Sequence, residues 1–123
     1  MEKLKLAVES QNFYYEQCLE LEKKVDADTR YIVNTDPQEW SKEKFEKSLE
    51  VCGNLMISSA KLVKEAENIL NSLSGLTKEE YESDVETVGE IAVTTRSIMR
   101  KQKEIYSKLI DLQGILIDII ERF

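Results

Sequence analysis

The side chains in this sequence that could do chemistry are two cysteines and several groups of acids. The absence of histidine excludes Ser-His-Asp and Cys-His catalysis, the Glu-x-x-His di-iron motif and histidine zinc sites. Cys18 and Cys52 have no obvious base beside them and fall on apolar stripes, which indicates buried thiols in a reducing compartment. No CxxC, glycine-rich phosphate loop or EF-hand pattern occurs. We therefore expect no enzymatic activity, no cofactor and no small-molecule substrate.

Acidic side chains recur at helical spacing, as in Glu79, Glu82 and Glu86, or in Asp111 with Asp118. Any solvated helix shows such spacing, so we interpret these acids as surface residues and predict no metal site. Seventeen Lys and Arg against 24 Asp and Glu give a net charge of −7. This balance disfavours binding to nucleic acid and to anionic lipid.

One group of cations stands out against this acidic background. It contains Arg96, Arg100, Lys101, Lys103 and Lys108. Two interpretations are open: a solvated face with i, i+4 pairs such as Arg100–Glu104, or a docking patch for an acidic partner.

The elements that must position these residues are helices, because the apolar periodicity is helical throughout. The clearest ladder repeats every seven residues: Ile91, Ile98, Ile105, Leu112 and Ile119. Gln11 and Asp28 interrupt the ladders of the first helix and make it the weakest. A seven-residue repeat with short connections predicts an all-α fold, an elongated antiparallel three-helix bundle with coiled-coil-like packing. We expect one domain, 1–123, with helices at about 2–33, 37–74 and 78–122; the alternative is a four-helix bundle with a break near Gly89.

Two stretches contain signals for helix ends. In LSGLTKEEY, residues 73–81, Gly75 is expected to end a helix in the left-handed conformation, and Thr77 with Glu80 forms a T-x-x-E capping box for the next. In NTDPQEW, residues 34–40, Asp36 as cap, Pro37 at the first helical position and Glu39 at the third indicate a helix start. Ser41 is a competing cap for a start four residues later.

The last third of the third helix is unusually apolar. Positions that hold Arg96 and Lys103 in the middle of the helix hold Ile110 and Ile117 near its end, so the apolar face widens from roughly 100° to roughly 200°. The predicted helix lengths make this end overhang its neighbours by roughly 10–20 Å. The expected association residues are Ile110, Leu112, Ile115, Leu116, Ile117, Ile119, Ile120 and Phe123.

Four covers for this apolar end are open. A second copy could complete the bundle in a homodimer, which we favour, or a different protein could supply a helix to make a heteromeric bundle. The connection around Tyr31–Val33 and Trp40 could fold over it, or it could lie on a membrane, which its acidic flank disfavours. Gln102 and Thr95 lie on the apolar ladder, where a buried polar residue often fixes register, although an edge position exposed to water is equally compatible.

The sequence thus predicts a non-enzymatic protein–protein interaction module, a structural or adaptor bundle that self-associates or docks a partner through the end of its third helix. The alternative is a small acidic chaperone- or inhibitor-like protein that binds one client. No signal peptide or membrane span is evident, which favours the cytoplasm. Neither end carries a clear cap, so a piece of a longer protein also stays open.

Overall fold

A computed structural model describes residues 2–123, apart from the side chain of Pro37. Its elements are, in order, α1 Glu2–Asn34, a 3₁₀ turn Pro37–Glu39, α2 Lys42–Ser74, α3 Lys78–Ser83 and α4 Val85–Glu121. The predicted all-helical bundle is confirmed, and α1, α2 and α4 are its three long members.

α2 begins at the later of the two starts that the sequence indicates. Its cap is Ser41, whose Oγ accepts a hydrogen bond of 3.1 Å from the backbone N–H of Lys44. The earlier start at Pro37 becomes a separate 3₁₀ turn, which ends at Glu39.

The connection from α2 to α3 contains the predicted capping box. The Thr77 hydroxyl accepts from the Glu80 N–H at 3.1 Å, and the Glu80 carboxylate accepts from the Thr77 N–H at 3.0 Å. The left-handed conformation expected for Gly75 is wrong, since its φ is −84° and its ψ is 0°. Its N–H instead donates to the Ser72 carbonyl at 3.3 Å, a tighter last turn that needs no positive φ.

The predicted third helix is divided in two at Asp84. This residue has φ −155° and ψ 69°, outside the helical region, and its carboxylate accepts from the Thr87 hydroxyl at 2.6 Å and from the Thr87 N–H at 3.1 Å. The same bonds lower the pKa of Asp84. Residues 2–123 therefore form four helices, but the break lies five residues before Gly89, which is inside α4.

The direction of the helices follows from the residues that meet at the two ends of the bundle. Leu4 at the start of α1 clusters with Ile69 near the end of α2 and Val88 near the start of α4. At the other end of the bundle, the buried cluster includes Ile32, Phe45 and Leu116. α2 is therefore antiparallel to both α1 and α4, and its contact with α4 is the most extensive.

The core consists of two apolar clusters with polar residues between them. The smaller cluster, at the α2–α3 end, contains Leu4, Ala7, Ile69, Val88 and Ile91. The larger one includes Leu21, Val25, Ile32, Phe45, Cys52, Leu55, Leu62, Ile105, Leu109, Leu112 and Leu116. Three of the buried polar side chains lie between the clusters in sequence: Gln11 on α1, and Thr95 and Gln102 on α4. Ser59 on α2 is also buried, but it lies between Leu55 and Leu62 of the larger cluster.

Candidate interaction surface

The eight apolar residues expected at the association site fall into three groups that differ in exposure. Leu112 and Leu116 are 6% and 0% exposed and belong to the chain's own core. Ile119 and Ile120 are partly buried against that core. The remaining four are exposed: Ile110 49%, Ile115 53%, Ile117 40% and Phe123 59%.

Part of the apolar end is covered within the chain by aromatic side chains. Phe45, itself buried, lies with its ring centroid 6.0 Å from that of Phe123 and 5.3 Å from that of Trp40. Trp40 is held in place by a 2.9 Å hydrogen bond from its indole N–H to the Thr35 carbonyl. The connection between α1 and α2 therefore contributes to closing this end of the bundle.

The observed overhang of the third helix is much shorter than the predicted one. α4 has 37 residues, and α1 and α2 have 33 each, a difference of four residues or roughly 6 Å. The estimate was wrong because it counted residues 78–83 in the same helix, whereas they form the separate α3.

The side of α4 that points away from the core carries a continuous exposed strip. At about 100° per residue, its members fall within roughly 80° of arc on the side opposite the buried positions. We call this strip the outer face of α4, and it consists of Arg96, Lys103, Ser107, Ile110, Gly114 and Ile117, all exposed. Ile115 lies about 140° around the helix from Ile110 and is not part of it.

The outer face contains two small residues that the sequence analysis did not single out. Ser107 and Gly114 are seven residues apart and alternate with Ile110 and Ile117. A Cβ added at Gly114 would meet no atom within 4 Å, so open space surrounds this backbone. Their i, i+7 spacing next to the two isoleucines was the available signal for this surface.

The cationic group predicted as a docking patch also divides. Lys101 is half-buried and pairs with Glu22 of α1 at 3.5 Å, so it ties α4 to α1. Arg96, Arg100, Lys103 and Lys108 are exposed and form no ion pair within 4.0 Å among residues 2–123. The suggested Arg100–Glu104 pair is therefore not formed.

A hydrogen-bonded polar group joins the three long helices at mid-height. The Gln102 amide donates to Cys18 Sγ at 2.8 Å, and its Oε1 accepts from the Ser59 hydroxyl at 2.7 Å. Gln102 and Cys18 are 0% exposed and Ser59 is 1% exposed. Of the two interpretations left open for Gln102, the buried one is therefore correct.

Three other buried polar atoms find no hydrogen-bond partner in the part of the chain that the structure describes. They are Gln11 Oε1, Asp28 Oδ2 and Thr95 Oγ1. Burial raises the pKa of Asp28. Asp28 is thus a half-buried carboxyl group on α1, where its charge is disfavoured.

Both cysteines lie inside the bundle. Burial raises the pKa of the Cys18 thiol and also that of the Cys52 thiol, whose S–H donates to the Leu109 carbonyl at 3.3 Å. Both are therefore protonated at neutral pH, a state in which a thiol is a poor nucleophile.

An opening lies between α1 and α2, which make less extensive contact than α2 and α4. Its volume is about 470 Å³, and Phe13, Leu21 and Leu62 are among its lining residues. Phe13 is 56% exposed at its rim. Lys24 and Lys61 line it together with Glu20 and Glu65, so its charge is mixed.

No protein-family model, curated protein or solved structure matches this chain. Within residues 2–123, the helices do not combine the length and apolar character needed to cross a bilayer. No three Asp, Glu or Cys side chains of the described residues are grouped in a way that could hold a metal ion.

Proposed function

We propose that this chain is a non-enzymatic protein–protein interaction module and that the outer face of α4 is its docking surface. The observation that carries the proposal is the position of Ile110 and Ile117, which are 49% and 40% exposed on the side of α4 away from the core. The core side of the same helix is already filled by α1 and α2, so these isoleucines are not needed for the chain's own packing.

The exposed isoleucines provide a driving force for docking. Full burial of an isoleucine contributes about 1.5–3 kcal/mol, and these two side chains are about half exposed. Covering both would therefore contribute roughly 2 kcal/mol, before the surrounding side chains are counted. Single exposed apolar residues are ordinary, but these two lie on one strip at i, i+7 spacing, about two helical turns apart, which is the arrangement of a docking face.

The rest of the outer face suits a helical partner. Ser107 and Gly114 have little or no side chain, so another helix can approach the backbone of α4 closely between the isoleucines. The exposed charges of Arg96 and Lys103 at one end of the strip can select a partner and fix its orientation.

Site-specific photocrosslinking tests this surface without knowledge of the partner. A photoreactive phenylalanine analogue replaces Tyr106, which is 38% exposed and borders the outer face. The matched control places the same group at Tyr31 of α1, which is 54% exposed. Both chains are irradiated in extract of the cells that encode the protein.

We expect discrete crosslinked products from position 106 and few from position 31. The products from position 106 should disappear when Ile110→Lys and Ile117→Lys are added, with helical content unchanged because both positions are exposed. Equal products from both positions, or products that survive the two lysines, would contradict the proposal.

A further inference from the structure

Cations predominate on and beside the outer face of α4 before Ser107, and acids predominate after it. Glu104 and Lys108, which are exposed farther round the helix, have the opposite signs. Arg96, Arg100 and Lys103 lie before Ser107 and are exposed. Asp111 and Asp118 lie after it, are also exposed, and border the outer face. Apart from Lys101 with Glu22, the ion pairs within 4.0 Å in residues 2–123 do not involve α4, so these charges are not neutralised within the chain.

We infer that the partner on the outer face of α4 is a second copy of this chain, with the two α4 helices antiparallel; this rests on the proposed function above. The charges are spaced symmetrically about Ser107. Lys103 precedes it by four residues and Asp111 follows it by four, while Arg96 and Asp118 lie eleven residues before and after it.

One antiparallel register centred on Ser107 therefore satisfies both of these pairs at once, and it places Arg100 opposite Gly114. Lys103 of each copy lies opposite Asp111 of the other, and Arg96 lies opposite Asp118, so two-fold symmetry makes four complementary pairs. A parallel arrangement would place each cation beside its own counterpart, which is repulsive. The charge pattern therefore selects the antiparallel orientation.

The seam of this dimer has a small residue at its centre and apolar residues beside it. Ser107 faces its own counterpart, which allows the two backbones to approach. In this register Ile110 and Ile117 lie next to Lys103 and Arg96 of the other copy, whose aliphatic stems cover them. In this register residues 93–121 of the two helices overlap, a length of roughly 43 Å.

The size of the seam sets the strength that we expect. A strip roughly 43 Å long and about 10 Å wide is smaller than the about 800 Å² per partner of a standard interface. We therefore expect a dimer that forms at micromolar concentrations.

Charge exchange between two variants of the full-length chain tests the register. The first variant carries Asp111→Lys and Asp118→Lys, and the second carries Arg96→Glu and Lys103→Glu. In either variant alone, like charges face each other at all four pairs. In an equal mixture, opposite charges face each other at all four.

Sedimentation velocity should show that the wild-type chain dimerises as its concentration rises through the micromolar range. Each variant alone should sediment as a monomer, and the mixture should regain the dimer. Circular dichroism checks that both variants stay helical, which we expect because all four positions are exposed.

Net charge provides an internal control. From −7, the first variant changes to −3 and the second to −11. If overall repulsion governed association, the first variant alone would dimerise best and the mixture would gain nothing over it. The local pairing predicts the opposite order.

A cysteine variant tests the centre of the seam independently of the charge changes. Ser107→Cys should form a disulfide-linked dimer on mild oxidation, because only residue 107 faces itself. Gly89→Cys, exposed on the same helix but outside the overlap, should not form one.

The outcomes separate this inference from the proposed function. Monomeric wild-type chain throughout the micromolar range, or a mixture that stays monomeric, would overturn the second copy as partner. Crosslinks from position 106 to a different protein would then still support the docking surface. A crosslinked product from position 106 that contains two copies of this chain, and so has twice its mass, would support both.

Discussion

Replacement of Ser59 by alanine should destabilise the fold far more than the loss of one hydroxyl group suggests. The Ser59 hydroxyl donates to Gln102 Oε1 at 2.7 Å, in a side chain that is 0% exposed. Without that donor, the Gln102 oxygen is buried and unpaired, which costs about 1–3 kcal/mol. Against a total stability of about 5–15 kcal/mol for a typical domain, such a loss is easily measured.

The loss depends on the glutamine, and this dependence makes the prediction specific. In a Gln102→Leu background there is no amide oxygen to leave unpaired, and the Ser59 hydroxyl retains the Gln102 backbone carbonyl at 3.3 Å. Gln102→Leu alone should therefore be nearly neutral, because it replaces a buried amide by an apolar side chain of similar size. In that background, Ser59→Ala should cost under about 1 kcal/mol.

Urea unfolding followed by far-UV circular dichroism measures the four free energies of this double-mutant cycle. All chains are compared at one protein concentration, because association would shift the apparent stability. Ser58→Ala is the matched control: Ser58 is exposed and donates only to the Asn54 carbonyl of its own helix. It should change stability by no more than about 0.5 kcal/mol. An equal loss from Ser59→Ala with and without Gln102 would show that the unpaired amide oxygen is not its cause.

Three other single substitutions should change the stability of the chain. Burial raises the pKa of Asp28, so this group favours the fold only while it is protonated, and that contribution is lost as the pH rises through its folded pKa. Asp28→Asn should therefore stabilise the chain at neutral pH but not at acidic pH. Urea unfolding at both pH values checks this. Gly89→Ala should stabilise by up to about 1 kcal/mol, because a Cβ there meets no atom within 4 Å, and a lower melting temperature would contradict it. Ser41→Ala should lower the free energy of unfolding by about 1 kcal/mol, because it removes the cap of α2. Asp36→Ala should lower it less, because Ser41 is the residue that caps the helix.

The fold was largely predictable from the sequence because apolar periodicity and capping motifs are local signals. The seven-residue ladder through Ile91, Ile98 and Ile105 identified core positions that are 0–3% exposed. The T-x-x-E motif placed the start of α3 at the correct residue. Both signals depend on residues a few positions apart, so one chain is enough to find them.

The break at Asp84 was missed because periodicity reports which face is buried and not whether the backbone is continuous. Asp84 with Thr87 is itself a capping pair, but both residues also fit the surface of a continuous helix. This error lengthened the predicted helix and produced the overestimated overhang. Gly75 was predicted to be left-handed because glycine usually is at a helix end, whereas a 3₁₀-type bond closes the turn here.

The candidate site was predicted only in part, because a widened apolar face on one helix does not show which of its sides a neighbouring helix covers. Leu112 and Leu116 turned out to be core residues, and Ile115 points to a different side of α4 from Ile110. The identity of the free strip required the positions of α1 and α2. Its charge symmetry, in contrast, can be read from the sequence once the strip is known.

Hydroxyl-radical footprinting measures the exposure of individual side chains in solution, so it decides whether a partner covers the outer face of α4. The labelling of Ile110 and Ile117 is compared with that of Ile57, which is 59% exposed on α2, in dilute chain, in concentrated chain and in cell extract. The account predicts strong labelling of all three in dilute chain, and protection of Ile110 and Ile117 but not of Ile57 under at least one of the other conditions. Undiminished labelling of Ile110 and Ile117 under all three conditions would contradict it.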